Sequence, residues 1–482
     1  MPDTVEILRL LPEVVLSAFG TLVMLLDAAL EERRKGPLGV VALAGIYLAA
    51  LGAMVSYSQA GPAFSGMIVV DGFATFFRLL VLAIGFLTVL ASISYLKRDG
   101  LPRGEYYALI LFALVGQGLM AAGSDLILIF LGLEISSIST YILAGYLRHD
   151  PRSGESALKY FFLGSFATAF LLYGVALAYG ATGSTRLDVI RQAIQKNEAN
   201  PALIAAAAGL LFVGLGFKVS AAPFQVWTPD VYQGAPSPVA AFLSTGPKAA
   251  AFAVFLRVFL SALPSAGGGW GWLLWVSALL SMTIGNFAAL VQTDVKRMLG
   301  YSSIAHAGYV LVAFAARTEI GTAAAMFYLA AYAFMNIGAF VVVSHFANRG
   351  EQYTAIEDYA GLAGRQPLLA ALLGIFLLSL VGIPLTGGFF GKFYIFRAAV
   401  NGGLIWLAVL GLLNSAVAAY YYLRVIVVMY MHEPKQEGPA PVEPMPASIA
   451  ATLVLSAAAT FLLGVVPGPV LDFATRSAGF GR

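Results

Sequence analysis

A chain of 482 residues that is 60% hydrophobic, 11% charged and has a mean hydropathy of +0.84 is not an ordinary soluble globule, in which charged residues alone make up about a quarter. Its net charge of +3 is spread over loops and offers no basic face to nucleic acid; having no cysteine, it has no disulfide, no thiolate-held iron–sulfur cluster and no thiol catalysis. These values predict an all-α, polytopic membrane protein whose surroundings are the lipid bilayer.

In chain order, apolar runs near 7–30, 38–58, 71–96, 106–122, 125–147, 157–181, 202–222, 237–261, 270–293, 296–316, 319–347, 367–397, 403–431 and 447–473 have about the twenty-residue length that crosses a bilayer, and predict fourteen transmembrane helices. Asp3 and Glu6 precede the first run and no small-residue cleavage site follows it, so it reads as a span and not a removable signal. Loops after odd-numbered spans carry Arg33, Arg34, Lys35, Lys97, Arg98, Arg103, Arg148, Arg152, Lys296, Arg297, Arg349, Arg365 and Lys435. Those after even-numbered spans offer only Arg186, Arg191, Lys196 and Arg317. This asymmetry puts the odd loops in the cytoplasm and both termini on the opposite side. Between Thr185 and Asn200, Leu187, Ile190 and Ile194 recur at helical spacing, which predicts a short amphipathic helix on the outer surface.

Two spans are interrupted. From Ala202, sixteen uncharged, mostly apolar residues lead up to Lys218, and the helix signal then breaks at Pro223 and Pro229. A lysine at that depth needs a polar partner or water, unless it lies near a helix end and snorkels to the interface. The second interrupted span, GIPLTGGFFGKFYIF, has Pro384, Gly387 and Gly388 at its break and bears Lys392. Two parts of the chain are weak copies: at an offset of 168, Leu131, Gly132 and Tyr141 fall on Leu299, Gly300 and Tyr309, and at 174 Lys218 falls on Lys392. Paired, Gly/Pro-interrupted spans of this kind point to a site built from internal repeats, here two inverted five-helix units.

Further charges stand inside the spans. Glu134 lies among Ser136, Ser137, Ser139 and Thr140; Lys248 follows Pro247; Lys159 opens the sixth span. Glu134 reads as a proton-active carboxylate or as a structural one that fixes two helices. For Lys159 the choice is between a relay and an interface anchor. His306, in YSSIAHAGYVLVAF, reads as a relay, since imidazole titrates near neutral pH, or as a packed core histidine. Desolvation disfavours an ammonium and a nearby carboxylate favours it, so a lysine facing an acid can be switched between charged and neutral. His149, His345 and His432 are scattered, with no metal-ligand spacing, so no metal or haem is expected.

The segments FLGLEISSISTYILAGY, GFKVSAAPFQVWTPDVYQGAPSPVAAFLSTGPKAAAF, VKRMLGYSSIAHAGYVL and GIPLTGGFFGKFYIF resemble the antiporter-like membrane subunits of respiratory complex I, the NADH–quinone oxidoreductase, and the similarity covers essentially the whole chain. The lysine of the second broken helix is similar to that of the N-type subunits, as are the length and helix count of the bacterial form. Gln225 stands where some relatives have histidine. The resemblance implies that Glu134 pairs with Lys218, that Lys248 connects the two halves, that Lys392 ends the path, and that Lys159 lies near the first half-channel. It also implies four regions: N-terminal helices (1–105), a first repeat (106–265), a second repeat (266–431) and a C-terminal loop and helix (432–482). The chain itself would hold no cofactor; NADH, FMN, iron–sulfur clusters and quinone would belong to partner subunits, and its neighbours would be an M-type antiporter-like subunit and small subunits of the K, J and A types. The expected location is the bacterial inner membrane, and the expected activity is proton translocation driven by quinone reduction elsewhere. A subunit of a cation/proton antiporter or of a membrane-bound hydrogenase, or an independent solute carrier, are the alternatives that the residues leave open.

Overall fold

The computed structural model describes residues 3–31, 34–263, 269–434 and 444–479; Arg33 and Lys435, counted above among the loop cations, lie outside them. Among the described residues, thirteen helices are long and apolar enough to cross a membrane. They are α2 (Leu11–Ala29), α3 (Leu38–Ser58), α4 (Gly72–Asp99), α5 (Gly104–Ala122), α6 (Leu126–Ala144), α7 (Pro151–Thr182), α9 (Pro201–Val219), α11 (Ser237–Leu256), α12 (Gly269–Leu290), α13 (Val295–Ala315), α14 (Glu319–Phe346), α18 (Ile405–Met431) and α19 (Ala447–Val465). One more crossing is split into α16 (Pro367–Val381) and α17 (Gly387–Asn401), and α9 is continued across a break by α10 (Thr228–Gly234). Short elements complete the chain: α1 (Thr4–Arg9), α8 (Leu187–Gln195), α15 (Leu362–Arg365), α20 (Gly468–Ser477), and an antiparallel hairpin of β1 (Gly61–Ala63) and β2 (Ile68–Val70).

With the split crossing counted, the described residues hold fourteen crossings, the number the hydropathy predicts. The run at 447–473 is not one span but α19 and α20, parted at Val466 and Pro467. Phe473 of α20 packs edge-on to Tyr57 and lies 6.0 Å from Phe76, while Arg9 of α1 donates to the carbonyls of Gln59, Ala60 and Pro62. α1 and α20 thus lie on one face. The amphipathic helix is present as α8, but Leu187, Ile190 and Ala193 are buried against a π-helical turn at Arg257–Ala262 that extends α11. Its apolar stripe is covered by protein, where it displaces as much water as it would in lipid.

Five crossings run from α5 to α11 and five from α12 to α18, and an odd number per unit sets the second unit upside down relative to the first. The same latch opens the second crossing of each. Asp125 caps α6 and accepts from the Thr185 hydroxyl at 2.7 Å; Asp294 caps α13 and accepts from Thr354 at 2.6 Å. At the centre, α11 and α14 are buried almost all round, whereas α2 and α7 leave most of their length facing outward. A clasp outside the spans closes the interior. Glu351 accepts from Lys296, from the Tyr95 hydroxyl at 3.0 Å and from the Ser237 amide, which ties α4, α11 and α13 to one loop.

Candidate functional site: buried amines at two broken helices

The first break places a charge at a helix end. α9 stops at Ser220, whose φ of 63° is left-handed, and Lys218 sits in the last turn, 7% exposed. An ammonium is favoured there because the final carbonyls carry the negative end of the helix dipole. Its Nζ donates to the Tyr141 hydroxyl at 3.5 Å and lies 5.0 Å and 5.2 Å from the ring centroids of Tyr141 and Tyr160. Tyr160 in turn stacks on Trp227 at 4.5 Å, and the indole N–H donates to the Phe217 carbonyl at 3.0 Å. The backbone freed by the break is satisfied from α12: Ser281 accepts from the Ala222 amide at 2.8 Å and Ser277 donates to the Ala222 carbonyl at 2.6 Å.

Glu134 does not touch Lys218. Its carboxylate accepts from Thr168 of α7 at 2.8 Å, and the ammonium rests instead on Tyr141, two turns along the same face of α6. The two make no direct ion pair, but Glu134 and the tyrosine that receives the ammonium lie on one face of α6, close enough for the carboxylate's charge to act on Lys218.

Lys248 lies deepest. It is 2% exposed on α11, beside Pro247, which removes one amide from the ladder, and it donates to the carbonyl of Ser303 at 3.0 Å and to the Ser303 hydroxyl. One turn along α13 stands His306. Both of its nitrogens are engaged, Nδ1 with the Tyr328 hydroxyl at 2.5 Å and Nε2 with the Tyr422 hydroxyl at 3.1 Å; Tyr422 also bonds Ser302. A neutral imidazole held this way donates through one nitrogen and accepts through the other, which is the arrangement of a relay. Around it, the hydroxyls of Tyr232 and Tyr332 and Oδ1 of Asn336 are buried without a hydrogen-bond partner among the described residues. Tyr332 lies against the His306 ring at 4.9 Å, and Asn336 donates to Ser244 at 2.6 Å.

At the second break α16 ends on Gly382, whose φ of 98° suits only glycine, and α17 begins five residues later. Lys392 reaches back from α17. Its ammonium donates to the carbonyls of Leu380 at 3.0 Å and Val381 at 2.8 Å and to Ser415 at 2.8 Å, and it lies 4.9 Å from the ring centroid of Tyr309. The offset that aligns Lys218 with Lys392 therefore joins residues on opposite sides of their breaks. What recurs is the position of the charge: each ammonium occupies the C-terminal end of the first half-helix, over the tyrosine that the 168 offset pairs, Tyr141 or Tyr309. Gly391 lets this site pack closely on the partner of His306, because a Cβ there would stand 2.4 Å from the ring of Tyr328.

Lys159 is elsewhere. Its ammonium is partly exposed and bonds Glu155 at 2.6 Å and Asp230 at 2.7 Å, and Asp230 also takes Arg297 at 2.6 Å. It anchors α7 to α10 and makes no contact with Lys218. Sequence reasoning gave no role to Tyr141, Tyr160, Ser303, Tyr328, Tyr422 or Ser415. The signals available were the repeat offset of 168, which pairs Tyr141 with Tyr309 and Tyr160 with Tyr328, and the serines beside His306; Tyr422 and Ser415 carried none.

Buried amines at the broken crossings of two inverted five-helix units, with hydroxyl and imidazole groups between them, mark the layout of an ion-translocating membrane protein. The transmembrane model of the NADH:quinone oxidoreductase/Mrp antiporter family matches residues 123–418, and the chain belongs to that family. It is 58% identical over 473 residues to NADH-quinone oxidoreductase subunit N 1 of Solibacter usitatus, covering 98% of this chain and 97% of that one. It is 46% identical over 476 residues to subunit N of Trichlorobacter lovleyi, with the same coverage. Among solved structures, a chain of respiratory complex I from Thermus thermophilus with bound aureothin aligns with a TM-score of 0.82 at 38% identity, covering 96% of this chain and 99% of that one. A chain of the Mrp complex from Dietzia aligns with a TM-score of 0.85 at 20% identity over 99% of this chain and 97% of that one, a likeness of fold.

Proposed function

We propose that this chain is the N-type proton-translocating subunit in the membrane arm of a bacterial NADH-quinone oxidoreductase. The observation that carries this reading is that Ser303, which holds Lys248, and His306, which holds Tyr328, stand one turn apart on α13, with Tyr328 packed on the helix that bears Lys392. Proton transfer starts when Lys218 loses its proton toward the interior as charge shifts near Glu134. Lys248 passes it along the Ser303, His306 and tyrosine set, and Lys392 releases it on the far side. The residues 106–265 and 266–431 are the two half-units of this path, flanked by 1–105 and 432–482. The high identity to N-type subunits favours this over a cation/proton antiporter or a hydrogenase subunit.

The chain holds no redox centre of its own in this reading: NADH, FMN, iron–sulfur clusters and quinone act in partner subunits and drive it through its neighbours, an M-type subunit and K, J and A types. It resides in the inner membrane, with the cationic loops in the cytoplasm and both termini in the periplasm. The test is a Lys218→Ala complex in inverted vesicles. Quinone reduction with diminished proton uptake supports the path; full, coupled pumping removes Lys218 from it.

A further inference from the structure

Where α4 and α14 end and α19 begins, the face that carries the cationic loops holds a cavity of about 400 Å³. Its wall is basic: Lys97, Arg98, His345 and Arg349, with Ser344 and Asn348 between them. Arg98 is fixed in place. Nη1 donates to the Ser344 carbonyl at 2.8 Å, Nη2 lies 3.0 Å from Asp99, and the guanidinium stands 5.1 Å from the centroid of the Tyr95 ring. The other oxygen of Asp99 accepts from the Gly350 amide at 2.7 Å and so holds the loop that presents Arg349.

The acids nearby are already engaged. Asp99 is taken by Arg98, and Glu351 by Lys296, Tyr95 and Ser237. Lys97 and Arg349 have no carboxylate partner among the described residues, and Oγ of Ser344, in a residue 1% exposed, has no hydrogen-bond partner among them. α19 opens onto the same cavity through Pro446 and Ile449, with no side-chain cap on its first amides. Uncapped amides at a helix start and two uncompensated cations favour a phosphate oxyanion. Beyond the cavity α19 exposes Val454, Leu455 and Leu462, an apolar track leading from it along the membrane.

We propose that this cavity binds a phosphate group, delivered by the headgroup of an anionic phospholipid whose acyl chains lie along α19. Basic pockets between transmembrane helices on the positively charged face are suited to such headgroups. The phosphate would bridge Lys97 and Arg349 and accept from Ser344, and would fasten α4, α14 and α19 on that face. This site lies apart from the buried amines and does not depend on their role.

The test uses the intact complex in nanodiscs of zwitterionic lipid with and without phosphatidylglycerol, comparing wild type with a Lys97→Gln/Arg349→Gln double variant. Both substituted side chains are exposed and unpaired, so the fold is retained, and quinone reduction serves as the check. Native mass spectrometry should find one tightly held phosphatidylglycerol fewer on the variant, with retention weakened about thirtyfold. Equal retention by both proteins overturns the site. If inorganic phosphate in zwitterionic discs displaces the lipid at comparable concentration and binds the wild type alone, the phosphate site stands and the lipid source is overturned.

Discussion

Replacing Lys392 by arginine and by methionine separates holding the second break together from passing a proton through it. The ammonium donates to two carbonyls at the end of α16 and to Ser415. Methionine keeps most of the volume but leaves these acceptors without a donor, at about 1–3 kcal/mol for each buried group left unsatisfied. Even partial relaxation of three such groups implies a loss of about 2–5 kcal/mol, enough to lower the thermal stability of the subunit in the solubilised complex. Arginine retains donors and charge, and the cavity of about 440 Å³ beside Lys392, bordered by Phe393, Arg397 and Leu412, has room for its larger head. A guanidinium does not give up its proton. The arginine variant should therefore unfold near the wild-type temperature yet pump as poorly as the methionine one, measured by dye quenching in inverted vesicles energised with NADH. Wild-type pumping by the arginine variant would refute proton passage through this amine.

Lys159→Gln should change stability by no more than about 1 kcal/mol and leave pumping largely intact, because its ion pairs are solvent-accessible; a loss as deep as that of Lys218→Ala in the same vesicle assay would return Lys159 to the path. The Glu351 clasp is pH-dependent. Burial pushes its carboxyl up, but Lys296 and the Ser237 amide outweigh this and hold it below its ordinary value of 4.5. Since the folded value is the lower one, its stabilisation is complete above about 4.5 and is lost as pH falls through the folded value. Thermal melts of the complex on acidification should show this loss in wild type and not in Glu351→Gln. In the N-terminal helices, Arg78 and Glu13 form a buried bidentate pair at 2.8 Å and 2.9 Å. Arg78→Leu alone should cost about 3–5 kcal/mol, while the double change Arg78→Leu/Glu13→Leu should recover most of it, as a double-mutant cycle of melts would show.

Sequence alone determined what local chemistry governs. A bilayer tolerates long apolar runs and penalises charge, so crossings, their number and the rarity of Glu134, Lys218, Lys248 and Lys392 were all legible. Proline and glycine act on their own turn of chain, so both breaks could be read as well. What each charge touches was decided only in three dimensions. Thr168 takes Glu134, the rings of Tyr141 and Tyr160 receive Lys218, and Asp230, from 71 residues away, draws Lys159 to the surface. Aligning Lys218 with Lys392 likewise matched residues by offset, whereas the fold matched the carbonyl ends of α9 and α16 and let a side chain reach each from whichever side of its break carried an amine. Hydrogen bonds and ion pairs are made to whatever packing brings within about 3 Å, and packing in this bundle joins helices far apart in the chain.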